Sequence, residues 1–166
     1  MVYILNNTRE AMHLLKKLIL SSQVRRVQSK GNNGLPLSFD QLVAGYEFPV
    51  TSYELDASII SKYLEAVGRR SEQHALATKF VPPLVIAAYT MTALSKSLVL
   101  PPGSIHASQE LEFFKLVPIG ITINCRGRVT QKLSRGKLRL LVIELDALNQ
   151  DEEKVLSGKA TLVLPS

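Results

Sequence analysis

Between residues 84 and 98 the apolar positions fall on every side of a helix: Leu84, Val85, Ile86, Ala87, Ala88, Met91, Ala93, Leu94 and Leu98, with Lys96 the only charge. A helix apolar all round must be surrounded by protein. Phe80-Val-Pro-Pro-Leu84 marks its start, because a proline at the first helical position gives up an N–H that has no acceptor there anyway. The C-terminal part of the chain can do the surrounding. Residues 104–113, 121–132, 138–147 and 155–164 read as strands. In the second of these Ile121, Ile123, Cys125, Gly127 and Val129 alternate with Thr122, Asn124, Arg126, Arg128 and Thr130, one face dry and one wet. Leu133-Ser-Arg-Gly-Lys137 and Leu148-Asn-Gln-Asp-Glu-Glu153 read as turns between antiparallel neighbours. An antiparallel sheet needs its apolar face covered, and the one buried helix supplies the cover. The expected fold is α+β, a sheet wrapped around one long central helix.

Upstream, residues 46–55 form a strand-like stretch broken by Pro49. Asp56 caps a short helix whose stripe is Ile59, Ile60, Tyr63, Leu64 and Val67, and Gly68 ends it. Further back, Met12, Leu15, Leu18 and Ile19 share one face of a helix over residues 8–22, capped by Thr8. That helix packs on its own domain or a neighbouring subunit; alternatively it rests on an anionic membrane or is the remains of an import sequence. Lys30-Gly-Asn-Asn-Gly-Leu-Pro36 is turn-rich and sets the boundary between a basic arm over residues 1–36 and a single domain over residues 37–166.

Length and composition narrow the class. The chain has 166 residues, 46% hydrophobic and 20% charged, enough for one domain with a sizeable core. No apolar run reaches the roughly 20 residues of a membrane span. The single cysteine, Cys125, excludes an internal disulfide framework, and its alternation with core residues points to inert packing. Lys16 and Lys17 interrupt what would be the apolar region of a secretory signal, so a cytoplasmic location is expected. His13 and His106 have no partner at metal-ligand spacing. The net charge of +6 invites a nucleic-acid reading, but residues 1–36 hold six basic groups against Glu10 alone, while the other 130 residues are nearly balanced. Basicity belongs to the arm and not to a groove. With no zinc-finger spacing, no stacking aromatic pair and no Trp, no nucleic-acid partner is expected.

From residue 40 onward the segments resemble, in order, the MaoC-like hydratase and dehydratase family of the hot-dog fold. They are Gly45-Tyr-Glu-Phe-Pro49, Tyr63-Leu-Glu-Ala-Val-Gly68, the loop ending at His74, Val81-Pro-Pro-Leu84 with its helix, Leu111-Glu-Phe-Phe-Lys-Leu-Val-Pro-Ile-Gly120 and Leu156-Ser-Gly-Lys-Ala-Thr-Leu-Val-Leu-Pro165. The resemblance implies action on acyl thioesters of coenzyme A or acyl carrier protein, reversible hydration of a trans-2-enoyl thioester to the (R)-3-hydroxyacyl form, and no cofactor beyond the substrate's own carrier. It also implies a dimer, either of two copies or with another hot-dog subunit, joined sheet edge to sheet edge.

The family's loop reads Gly-Asp-x-Asn-Pro-x-His, its Asp and His activating one water, and a backbone N–H at the central helix start polarises the thioester carbonyl. In this chain the loop reads Gly68-Arg69-Arg70-Ser71-Glu72-Gln73-His74. Gly68 and His74 match; Arg69 replaces the Asp, Ser71 the Asn and Glu72 the Pro. Pro83 stands at the helix start where the family's Gly donates its N–H, and proline has none. Losing a positioned acid/base is expected to cost about 10²–10⁴ in rate, and losing an oxyanion donor about 10²–10³. Glu72 could take the Asp's role, Leu84 could donate in place of residue 83, or the catalytic residues come from another chain. Arg69 and Arg70 are a solvated pair or meet the phosphates of the carrier, as guanidinium groups do. His74 is then the expected catalytic residue, and Arg69, Arg70, Ser71, Pro83 and Leu84 the expected substrate contacts. Two functions are open: a hydratase or dehydratase with an altered dyad, or a non-catalytic acyl-binding subunit whose partner keeps both catalytic groups. A thioesterase ranks last, since residues 84–98 carry no carboxylate.

Overall fold

The computed structural model describes residues 2–4, 26–27, 35–67 and 79–165. Its elements run β1 (Val2–Ile4), β2 (Arg26–Val27), a single 3₁₀ turn (Phe39–Gln41), β3 (Thr51–Glu54), α1 (Ala57–Ala66), α2 (Pro83–Ser97), β4 (Ile105–Phe113), β5 (Thr122–Arg135), β6 (Leu138–Leu148) and β7 (Lys154–Pro165). The predicted helix over residues 8–22 lies outside the described residues, as does most of the linker.

The strands form one sheet in the order β1-β4-β7-β6-β5-β3-β2, each pair antiparallel. Three long strands make its centre, with Leu145 of β6 between Gly127 of β5 and Gly158 of β7. The inner face carries α2, which packs on β5 and β6. Two apolar clusters fill the space along the helix. Around its first half lie Val85, Ile86, Leu111, Ile123, Ala147 and Leu156; around its second half lie Leu94, Leu98, Val129, Leu141, Ile143 and Leu162. The wrapped sheet and central helix are as the pattern predicts. The helix is not buried to its ends: residues 85–94 are enclosed apart from the half-buried Met91, while Leu84 and Lys96 reach solvent.

Element ends differ from the expected ones for local reasons. The strand expected from residue 46 begins at Thr51. Before it, the 45–48 segment pairs with β5 separately, Gly45 N–H to Val129 O at 2.7 Å and Phe48 N–H to Gly127 O at 2.8 Å. Pro49 has no N–H and interrupts the ladder between the two. The 133–137 turn shrinks to two residues, since β5 continues to Arg135 and β6 resumes at Leu138. Gly136 at φ 59° supplies the left-handed backbone that a two-residue hairpin requires. α1 starts as expected, Asp56 accepting from the Ile59 N–H at 2.9 Å, and ends at Ala66 with Val67 donating to Tyr63 O.

Candidate functional site

The start of α2 is built by two prolines. Pro82 is extended (φ −56°, ψ 131°) and Pro83 opens the helix. Neither has an N–H. Val85 N–H turns back to Pro82 O at 2.9 Å, and among the described residues Leu84 N–H has no backbone acceptor. The first donor offered at the positive end of this 15-residue helix is therefore that of Leu84, whose side chain is 46% exposed. The strand leading into the helix is pinned on both sides of Phe80: Val81 N–H reaches Val117 O at 2.7 Å and Ile119 N–H reaches Lys79 O at 3.2 Å.

The structure thus places Pro83 and Leu84 together at one helix terminus. Arg69, Arg70, Ser71 and His74 lie outside the described residues. What the structure gives of their loop is its two ends, Val67 at the close of α1 and Lys79 at the approach to α2.

On the α2 face toward β3, Tyr53 and Tyr89 stack at a tilt with ring centroids 5.0 Å apart, and the Lys96 Nζ sits 3.4 Å from the Tyr53 hydroxyl. Burial pushes the Tyr89 phenol up to about 12, helped by the Asp56 carboxylate. Lys96, which the sequence shows only as the lone charge of an apolar helix, lies over the Tyr53 ring at 5.3 Å. The stem of a lysine can cover apolar surface while its charge stays wet. Cys125 is 2% exposed, its Sγ 3.7 Å from the Thr90 hydroxyl, and burial pushes its thiol up to about 12. It is packing, as expected.

His106 has a place the sequence did not reveal. A bulge in β4 shifts the register between His106 and Ser108, so that His106 pairs with Leu162 and Gln109 with Ala160. Residues three apart in a regular strand face opposite ways; the bulge turns these two to one inner face. Burial holds the His106 imidazole below its ordinary value, although Ser108 and Gln109 favour its charged form. Gln109 is 7% exposed and donates its Nε2 to Glu110 O at 3.1 Å. His106 Nε2 and Gln109 Oε1 are buried and, among the described residues, have no geometric hydrogen-bond partner.

Two open grooves lie elsewhere among the described residues. One of about 380 Å³ lies over β7 on the outer face, among Glu110, Glu144, Asp146, Ser157 and Lys159. Another, of about 480 Å³, lies beside it over β5, among Glu47, Val50, Arg126, Arg128 and Glu144. Their charges are cross-strand neighbours, with Lys154 and Asp146 at 3.0 Å and Lys159 and Glu110 at 3.4 Å. That is the pattern of a solvated sheet face. Neither groove touches Pro83 or Leu84.

An antiparallel sheet curled around one central helix is the hot-dog fold. Solved structures similar to this chain include the unliganded R-hydratase PhaJ1 from Pseudomonas aeruginosa, 20% identical, with a TM-score of 0.64 over 77% of this chain and 85% of that one. The MaoC-like dehydratase from Rhodospirillum rubrum is 24% identical, with a TM-score of 0.61 over 80% of this chain and 97% of that one. The ChsH1-ChsH2 complex from Mycobacterium tuberculosis contributes a chain 15% identical, with a TM-score of 0.57 over 74% of this chain and 98% of that one. No protein-family model matches the chain, and no curated protein sequence matches it. These likenesses establish the hot-dog fold seen in MaoC-like dehydratases and (R)-hydratases. Among the described residues no helix is long and apolar enough to cross a membrane.

Proposed function

We propose that the chain binds an acyl thioester of coenzyme A or acyl carrier protein and acts as an enoyl-thioester hydratase or (R)-3-hydroxyacyl-thioester dehydratase with an altered dyad. The observation that carries this reading is the start of α2. Two prolines leave Leu84 N–H without a backbone acceptor at the positive end of the helix, where a thioester oxygen gaining charge is stabilised. In the hydration direction His74 removes a proton from water, the oxygen bonds to the β carbon, and the electron pair of the double bond moves to the α carbon and carbonyl. Leu84 N–H holds the resulting enolate oxygen, and the protonated His74 returns its proton to the α carbon, which completes the addition of water. Arg69 in place of a carboxylate leaves one base where two are usual. Arg69 and Arg70 bind the carrier's phosphates, Ser71 contacts the substrate, and Pro83 shapes the helix start.

A second reading has specific support: a non-catalytic subunit pairing with a catalytic hot-dog partner, in place of a homodimer. The losses at residues 69 and 83 fall on both halves of the expected machinery. Similar structures also include two-subunit assemblies, the ChsH1-ChsH2 complex and the HadBC (3R)-hydroxyacyl-ACP dehydratase complex. Loss of enoyl absorbance with crotonyl-CoA and a longer enoyl-CoA separates the two. Turnover that collapses in His74→Ala supports the enzyme. Silence in the wild type with activity gained in Arg69→Asp supports the degenerate subunit, and silence in both removes the catalytic reading.

A further inference from the structure

We propose that the β5–β6 hairpin end of the outer sheet face docks on an anionic lipid bilayer, its aliphatic row entering the headgroup layer and its basic tip meeting the lipid phosphates. Residues opposite one another in an antiparallel sheet share a face. Leu133 of β5 pairs with Leu140 of β6, Leu140 with Val163 of β7, and Val163 with Ile105 of β4, so one aliphatic row crosses four strands. The next row out holds Leu138 between Arg135 and Pro165. Their strand neighbours Leu141, Leu162 and Leu164 lie in the core, which puts the row on the outer face. Ile105, Leu133 and Leu138 are 61%, 56% and 51% exposed. Elsewhere the same face carries charged pairs, Lys154 with Asp146 and Lys159 with Glu110. Contiguous exposed apolar surface within such a face marks an interaction site.

Charge and shape select the occupant. Residues 131–143 hold Lys132, Arg135, Lys137 and Arg139 and no acid. Lys132 and Arg139 lie over the Phe39 ring, where Lys132 donates to Leu42 O at 2.7 Å and Arg139 sits 3.5 Å from the Asp40 carboxylate. Arg135 and Lys137 flank Gly136 at the tip and have no acidic partner among the described residues. A second copy would bring the same unbalanced positive charge to the contact, whereas a layer of anionic headgroups opposes it. Residues 133–138 are all exposed, so the tip is a convex wedge and not a groove. A wedge of leucines beside two cations suits a bilayer interface, where basic groups meet phosphates and aliphatic side chains reach the acyl boundary. The surface lies at the C-terminal end of α2, where Leu98 packs with Leu141 and Leu164. The 15-residue helix sets it roughly 20 Å from Leu84, so docking leaves the helix start open.

This surface goes beyond the thioester reading and does not rest on it. The test is co-sedimentation of the full-length chain at low salt with vesicles of phosphatidylcholine, alone or mixed with phosphatidylglycerol. The mixed vesicles are expected to bind the wild type on the order of tenfold more tightly or better, a gain that high salt erases. Arg135→Gln/Lys137→Gln should weaken that binding roughly twentyfold, about fivefold for each cation removed from an anionic surface. Leu133→Ser/Leu138→Ser should weaken it on the order of tenfold by removing apolar area from the interface. The charge pair sits on a solvated turn and decides the matter even where the leucine pair lowers the melting temperature. The arm over residues 1–36 is basic in its own right, so Lys16→Gln/Lys17→Gln is run alongside and should leave the effect of the tip variants intact. The proposal is overturned by a wild type that ignores the mixed vesicles, or by binding that the tip variants leave unchanged, the result expected if the arm alone binds. A wild type that ignores vesicles but loses mass in the leucine variant gives the row to a second copy and overturns it equally.

Discussion

Gly158 in the middle of β7 is the most crowded of the described glycines, and adding one methyl group there tests the register of β4 on β7. A Cβ at Gly158 would lie 2.8 Å from the Glu110 backbone oxygen and 3.0 Å from Leu111 Cδ2. Leu111 can shift its side chain by a few tenths of an ångström. The Glu110 oxygen cannot, since it belongs to the strand and receives the Gln109 amide. Gly158→Ala therefore forces β4 away from β7, and overpacking of this kind costs about 1–3 kcal/mol. For a chain of this length each kcal/mol lowers the melting temperature by about 2–4 °C, so the expected loss is about 2–12 °C. Gly127→Ala is the control. Its Cβ would meet Phe48 Cδ2 at 3.2 Å and Leu145 Cδ2 at 3.4 Å, both on side chains that can give, and its cost should stay below about 1 kcal/mol. Thermal melts followed by circular dichroism rank the two. A Gly158→Ala protein that melts within about 1 °C of wild type, or above Gly127→Ala, refutes this packing.

Other outcomes rest on single groups. Asp56→Ala removes the cap of α1 and should cost about 1 kcal/mol at neutral pH. The Ile59 N–H and then the Ser58 hydroxyl hold the Asp56 carboxyl below its ordinary value of 3.8. The cap's contribution is thus complete above that value and lost as pH falls through the folded one, so urea midpoints of variant and wild type should converge in acid. Cys125, the only cysteine, should resist a thiol reagent in the native protein and react after denaturation; native labelling at the denatured rate would contradict its burial. The buried Cys125 thiol and Tyr89 phenol keep their protons to about 12, past the ordinary 9.0 and 10.0 at which the unfolded chain releases them. Stability should therefore fall as pH rises from about 9 toward 12, and Tyr89→Phe should make the fall shallower above 10 while leaving the contribution of Cys125, measured by urea titration.

How legible was the site? Of its expected residues only Pro83 and Leu84 fall where the structure describes them, and there the sequence was direct: two prolines dictate that the next residue is the first donor. The His106 and Gln109 pair left no readable sign. Strand alternation puts residues 106 and 109 on opposite faces, and nothing in Ile105-His-Ala-Ser-Gln109 announces the bulge that brings them together.

What the sequence determined by itself was the kind of the longer elements from residue 57 onward, among the described residues, and the dry face of β5. An apolar helix all round, four strand segments, one of them alternating, and two turn signals leave an antiparallel sheet wrapped on a helix as the solution that buries those faces, because burial of apolar surface is a local demand that each residue carries with it. What only the tertiary structure decided was everything that depends on pairing between distant segments. The break at Pro49, the tightening of one hairpin at Gly136, the crowding at Gly158 and the seating of Val2–Ile4 against a strand more than 100 residues away are set by backbone hydrogen bonds and register. Those are relations between strands, and no window of sequence contains them.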